Sequence, residues 1–92
     1  MTYATEFPDF PGASLPAIPN DWRDASYHND TCPSWQAGSI HVWIDYPEPE
    51  QREYPDARRF TVAKLDADGC ITADPPILET DDWQQVLNLT AA

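Results

Sequence analysis

Apolar and polar residues alternate with period two in residues 39–46 and again in 58–65. In the first segment Ile40, Val42, Ile44 and Tyr46 oppose His41, Trp43 and Asp45; in the second Phe60 and Val62 oppose Thr61 and Ala63, with Leu65 at the end. A two-residue period places one set of side chains on one face of a sheet, so both segments read as half-buried strands. Pro47, Pro49 and Pro55 deny the intervening residues 47–57 a strand ladder and make them a surface loop. Asp66-Ala67-Asp68-Gly69 has the chemistry of a hairpin turn, with Gly69 free to take positive φ, and residues 70–72 are expected to pair back as a closing strand.

After Asp74-Pro75-Pro76 the period changes. Residues 79–89 read as a helix capped by Thr80, with Asp81 and Asp82 at the positive end of its dipole and Trp83, Val86 and Leu87 on one face. Upstream, Pro8, Pro11, Pro16 and Pro19 remove amide donors and bias their neighbours toward extended geometry. Residues 1–19 are therefore expected to be an extended arm whose Phe7, Phe10, Leu15 and Ile18 dock on the domain. Residues 20–26 fit either one helical turn capped by Asn20 or the run-in to a strand at 26–28, with Trp22 and Tyr27 as anchors. Residues 28–34 hold the Asn, Asp, Pro and Ser of a tight loop. The expected architecture is α+β: an antiparallel sheet of three to four strands, one C-terminal helix packed on it, the arm at 1–19 and a single domain over 20–92.

Composition changes that picture by adding a field. The 92 residues carry 16 acids against 5 bases, a net charge of -11. Magnitudes of roughly 2–8 suffice for the solubility of a small domain, and the excess costs stability through self-repulsion. Five bases cannot supply a phosphate-binding footprint, so direct nucleic-acid binding is disfavoured and a partner should be basic. The same field opposes an anionic membrane surface, and no apolar run approaches the roughly 18–20 residues of a spanning helix. With no basic segment leading into an apolar one at the N-terminus, a cytoplasmic location is expected. Two cysteines, Cys32 and Cys70, are too few for a densely stapled secreted domain and read as reduced thiols, with one disulfide between them as the alternative. Four Trp, four Tyr and three Phe argue for a packed core in spite of the charge.

Candidate chemistry divides into two classes. His28, Asp30 and Cys32 supply the members of a thiol–imidazole–carboxylate set within one loop, and His28, Cys32, His41 and Cys70 are zinc-ligand types, although their spacing matches no paired-ligand motif. A small metal- or thiol-dependent enzyme centred on His28, Asp30 and Cys32 is the alternative reading. Asp66-x-Asp68-Gly69 begins like a calcium loop but lacks its closing Glu.

The leading reading follows the acids: no cofactor, no catalysis, and a contact surface built from Asp45, Glu48, Glu50, Glu53 and Asp56. Trp43 and Tyr54 are the aromatic anchors, since such residues concentrate binding energy, and Asp66 and Asp68 extend the acidic surface. If extended, Glu48 and Glu50 would lie on one side about 6.6 Å apart, near the rise of two phosphates. From Leu65 onward Asp66, Asp68, Asp74, Glu79, Asp81 and Asp82 occur with no base. Such an array suits an inhibitor that fills the nucleic-acid channel of a basic protein, as small acidic anti-restriction and anti-CRISPR proteins of phages and plasmids do as a class. A third expectation is a subunit-assembly protein using the apolar arm of residues 7–18.

Overall fold

The computed structural model describes residues 2–72 and 75–90. Five strands form one antiparallel sheet in chain order: β1 (Arg23–Asp24), β2 (Ser34–Ala37), β3 (Ile40–Ile44), β4 (Phe60–Lys64) and β5 (Leu78–Thr80). Helix α1 (Tyr3–Glu6) precedes them and α2 (Trp83–Thr90) follows; single 3₁₀ turns occupy Gly12–Ser14 and Pro49–Gln51.

The centre of the sheet is where the alternation is strongest. Val42 lies opposite Val62 and Ile44 opposite Phe60, which stacks apolar partners on one face. Val42, Ile44, Val62 and Val86 are fully buried there. Helix α2 covers this face, with the Trp83 ring 5.0 Å from Phe60 and 5.5 Å from Trp22. Val86 belongs to the core and Trp83 and Leu87 pack against it, the face expected from the helical period.

The sheet has five strands instead of three to four because two segments pair that the local pattern did not separate. Ser34–Ala37 is a strand of its own, joined to β3 by Gly38 and Ser39. Gly38 has φ +59°, as the first central residue of a type II′ turn requires. At the other edge, residues 70–72 contribute a single bridge, Leu65 to Ile71, and the outer strand is Leu78–Thr80, of which Glu79 and Thr80 were expected to open the helix. Thr80 is therefore not the helix cap. Its Oγ1 accepts the Asp82 N–H at 3.0 Å, and Asp82 Oδ1 accepts the Gln84 N–H at 3.0 Å, so Asp82 caps a helix beginning at Trp83. Asp74 lies outside the described residues.

The N-terminal segment docks through the residues expected, but it is not extended throughout, since Tyr3–Glu6 and Gly12–Ser14 are helical turns. Residues 3–6 form a helical turn ahead of Pro8, and Phe7 and Phe10 enter the core, with Leu15 and Ile18 packed against it. The Tyr3 N–H donates to Asp24 Oδ2 at 2.7 Å, and the Tyr3 ring sits 5.9 Å from Trp35. A Cβ at Gly12 would meet Tyr3 Oη at 2.6 Å, so any larger residue there would have to displace the tip of the Tyr3 side chain. Neither expected element for residues 20–28 forms, the strand being Arg23–Asp24; Trp22 anchors in the core as expected, whereas Tyr27 is exposed. The following loop is closed by buried Ser26, whose Oγ accepts the Ser34 N–H at 3.1 Å.

Candidate binding groove on the outer sheet face

With Val42, Ile44, Phe60 and Val62 committed to the core, the intervening residues of the same strands face the other way. Trp43 lies opposite Thr61, and Thr61 opposite Glu79, so one cross-strand row joins β3, β4 and β5 on the outer face. A groove of about 360 Å³ opens over this row. Asp45, Glu53, Tyr54 and Ala57 line it from the end of β3 and the connection to β4, and Cys32 from the loop before β2.

Of the residues nominated from sequence, Trp43, Asp45, Glu53 and Tyr54 meet in this groove. Glu48, Glu50 and Asp56 are exposed on the connection and do not line it. The expected extended spacing of Glu48 and Glu50 is replaced by the 3₁₀ turn Pro49–Gln51, which contains Glu50. Asp66 and Asp68 sit in the turn after β4, where Asp66 Oδ1 accepts the N–H groups of Asp68 (2.9 Å) and Cys70 (3.0 Å) and Gly69 has φ +80°. That carboxylate builds its own turn.

The residue organising the acidic connection is one sequence reasoning missed. Arg52 donates from Nε to the Tyr46 carbonyl (2.7 Å), from Nη1 to Ala57 (2.8 Å) and from Nη2 to Pro47 (3.2 Å). Three forked bonds to carbonyls that have no ladder partner hold the two ends of the loop together. Arg52→Ala should lower stability by about 2–3 kcal/mol and release the loop, and Arg52→Lys should recover only part of this because an ammonium cannot fork. Urea unfolding, with amide exchange at residues 47–57, measures both effects; wild-type protection in the alanine variant would refute this role.

Asp45 stands where that connection leaves the sheet. Burial pushes its carboxyl above the ordinary carboxylate range, opposed by the Tyr46 N–H on Oδ1 (2.8 Å) and by the fields of Arg52 and Arg59. The two arginines lining the groove are held elsewhere. Arg58 Nη1 pairs with Asp81 Oδ2 at 3.0 Å, whereas Arg59 donates to the Asp45 carbonyl at 3.1 Å and the Ser14 carbonyl at 3.0 Å. Asp81 also accepts the Arg59 N–H at 2.8 Å, and these bonds hold its carboxyl below the usual range.

Beside Trp43 the outer face is more buried than alternation implies. His41 is 5% exposed and its ring lies 4.4 Å from that of Trp43. Arg23 donates to Gln36 Oε1, which leaves the Gln36 amide nitrogen 3.2 Å from His41 Nδ1. The amide must donate there, so His41 is the neutral tautomer with its proton on Nε2, which has no hydrogen-bond partner among the described residues. Burial holds its pKa below the usual 6.5. Because the unfolded chain takes up this proton first, the contribution of His41 to stability falls as pH drops below about 6.5. His41→Phe should therefore reduce the loss of thermal stability between about pH 7 and pH 5; an unchanged loss would show that His41 does not cause it.

The thiol constellation is not assembled. The Cys32 thiol is buried and pushed up to about 12, chiefly by desolvation, so it carries no thiolate near neutrality. His28 is exposed and directs Nδ1 to Glu6 Oε1 at 3.1 Å, and Asp30 is exposed. Among the described residues no three His, Cys, Asp or Glu side chains converge as metal ligands, so His28, Cys32, His41 and Cys70 form no common site. Nor is any described helix long and apolar enough to cross a membrane. Comparison with protein-family models, with curated proteins and with solved structures gives no match, so the functional reading rests on the groove and its surroundings.

Proposed function

We propose that this chain is a non-enzymatic inhibitor that occupies a basic, nucleic-acid-binding surface of another protein, acting in the cytoplasm as a nucleic-acid mimic of the anti-restriction or anti-CRISPR kind. What supports this reading is the placement of the cations. Arg52 and Arg59 bind backbone carbonyls and Arg23 binds Gln36, so three of the five bases form no ion pair among the described residues. Among the described residues the ion pairs are Arg58 with Asp81 and His28 with Glu6, against 16 acids in the chain. The negative field is left for a partner, where it accelerates association and opposes wrong partners.

Competition with nucleic acid tests the proposal. The immobilised chain is loaded with the DNA-binding fraction of its own organism's lysate and then washed with excess duplex DNA or RNA. A retained protein should be displaced by one of these, and its retention should fall steeply between roughly 50 and 200 mM salt. Retention that withstands both competitors, or no retention at low salt, would overturn the mimic reading.

A further inference from the structure

We propose that the groove over Trp43 receives a single arginine side chain of the partner, its guanidinium stacking on the indole and forking onto the carboxylates of Asp45, Glu53 and Glu79. An arginine receptor presupposes the basic partner proposed above and names the residue that partner must present.

At about 360 Å³ the groove lies at the small end of the roughly 300–1,000 Å³ of small-ligand sites. Trp43 is half-buried in the cross-strand row and Tyr54 is 68% exposed beside it, so aromatic surface is available to a cation. None of Asp45, Glu53 and Glu79 forms an ion pair among the described residues. Burial at Asp45 favours the same occupant. Arg52 and Arg59 already act on this carboxylate, yet the desolvation cost outweighs them and its pKa stays raised. A positive group entering the groove would reverse that balance.

The groove's own arginines donate elsewhere, Arg58 to Asp81 and Arg59 to the carbonyls of Asp45 and Ser14, so neither guanidinium forks onto the carboxylates of the groove. A divalent metal ion is a poor occupant, since among the described residues no three His, Cys, Asp or Glu side chains are grouped closely enough to hold one, whereas a planar guanidinium spans carboxylates that stand farther apart. An apolar ligand would bury Asp45 further without pairing it. Between the two basic side chains, arginine suits the site better: its planar, weakly hydrated fork matches both an indole face and a carboxylate, whereas an ammonium is compact and strongly hydrated.

The test uses the whole chain, isotope-labelled, titrated at constant ionic strength with the blocked peptide Gly-Arg-Gly and its lysine and citrulline counterparts. Citrulline keeps the shape of arginine and removes the charge. The arginine peptide should move the Trp43 indole N–H signal saturably, in the millimolar range, with citrulline at least about tenfold weaker and lysine between them. Asp45→Asn and Glu79→Gln should each weaken binding severalfold, and Asp68→Asn should not. The exposed Glu79 keeps the test decisive if changes at Asp45 disturb the fold.

Equal binding of citrulline, or non-saturating shifts spread over the Asp66–Gly69 turn as much as over Trp43, would overturn the assignment. So would wild-type affinity in both Asp45→Asn and Glu79→Gln. Failure of the peptide in a chain whose partner is still displaced by nucleic acid refutes the groove and spares the mimic. Saturable peptide binding without such a partner supports the groove and refutes the mimic.

Discussion

Replacing Phe10 with alanine should cost about 3–5 kcal/mol, the range for truncating a buried aromatic ring. Phe10 is 6% exposed, its ring 4.8 Å from that of Tyr46 and 6.3 Å from that of Tyr3. It therefore joins the N-terminal segment to the end of the central strand. A chain of 92 residues buries only about 60–65% of its unfolded surface and has a net stability on the order of 5–15 kcal/mol. Loss of one such ring is a large share of that. If residues 1–19 were a dispensable arm, the same change would fall within the roughly ±0.5 kcal/mol typical of surface substitutions. Urea unfolding followed by tryptophan fluorescence separates the two cases, and a destabilisation below about 1 kcal/mol would remove Phe10 from the core ledger.

Reversing Glu48, Glu50 and Glu53 together to lysine should slow association with the basic partner on the order of 100-fold at low salt while leaving the fold intact. Each reversal changes the charge by two, so the net value moves from -11 to -5. All three side chains are exposed, and none accepts a hydrogen bond or ion pair within the described structure. Relief of self-repulsion offsets whatever local contacts are lost. Glu53 also lines the groove, so part of the effect should appear in the dissociation rate, whereas the losses from Glu48 and Glu50 should appear in the association rate and its salt dependence. The readout is surface-based kinetics against the partner recovered by nucleic-acid competition. Unchanged affinity in the triple variant would exclude this connection from the contact. Asp66 is a poorer probe, because its carboxylate holds two backbone N–H groups and reversal would break the turn.

Local sequence determined β3 and β4 through their alternation, the Asp66–Gly69 turn through its residue types and the apolar face of α2 through its helical period, because each depends on residues adjacent along the chain or one helical turn apart. Competition between segments was settled only in three dimensions. Residues 70–72 and 78–80 can both extend beside β4, and Thr80 and Asp82 are both good caps; pairing of Phe60 with Thr80 and Thr61 with Glu79 fixed the strand and so moved the cap to Asp82. The prolines of residues 1–19 correctly argued against a central strand, but local geometry does not report where a segment docks. Burial of Phe7 and Phe10 against Tyr3, Trp35 and Tyr46 decided that.

The candidate site divides in the same way. Its acids and aromatic residues were visible as composition, since charge needs no fold to be counted. The groove was not, because Trp43, Thr61 and Glu79 come from three strands and meet only through register. Arg52 looked like one of five scattered bases until the loop brought three carbonyls within its reach. Sequence set the sign of the field; the tertiary structure decided which carboxylates are left without a cation, because distance and desolvation exist only once the chain has closed on itself.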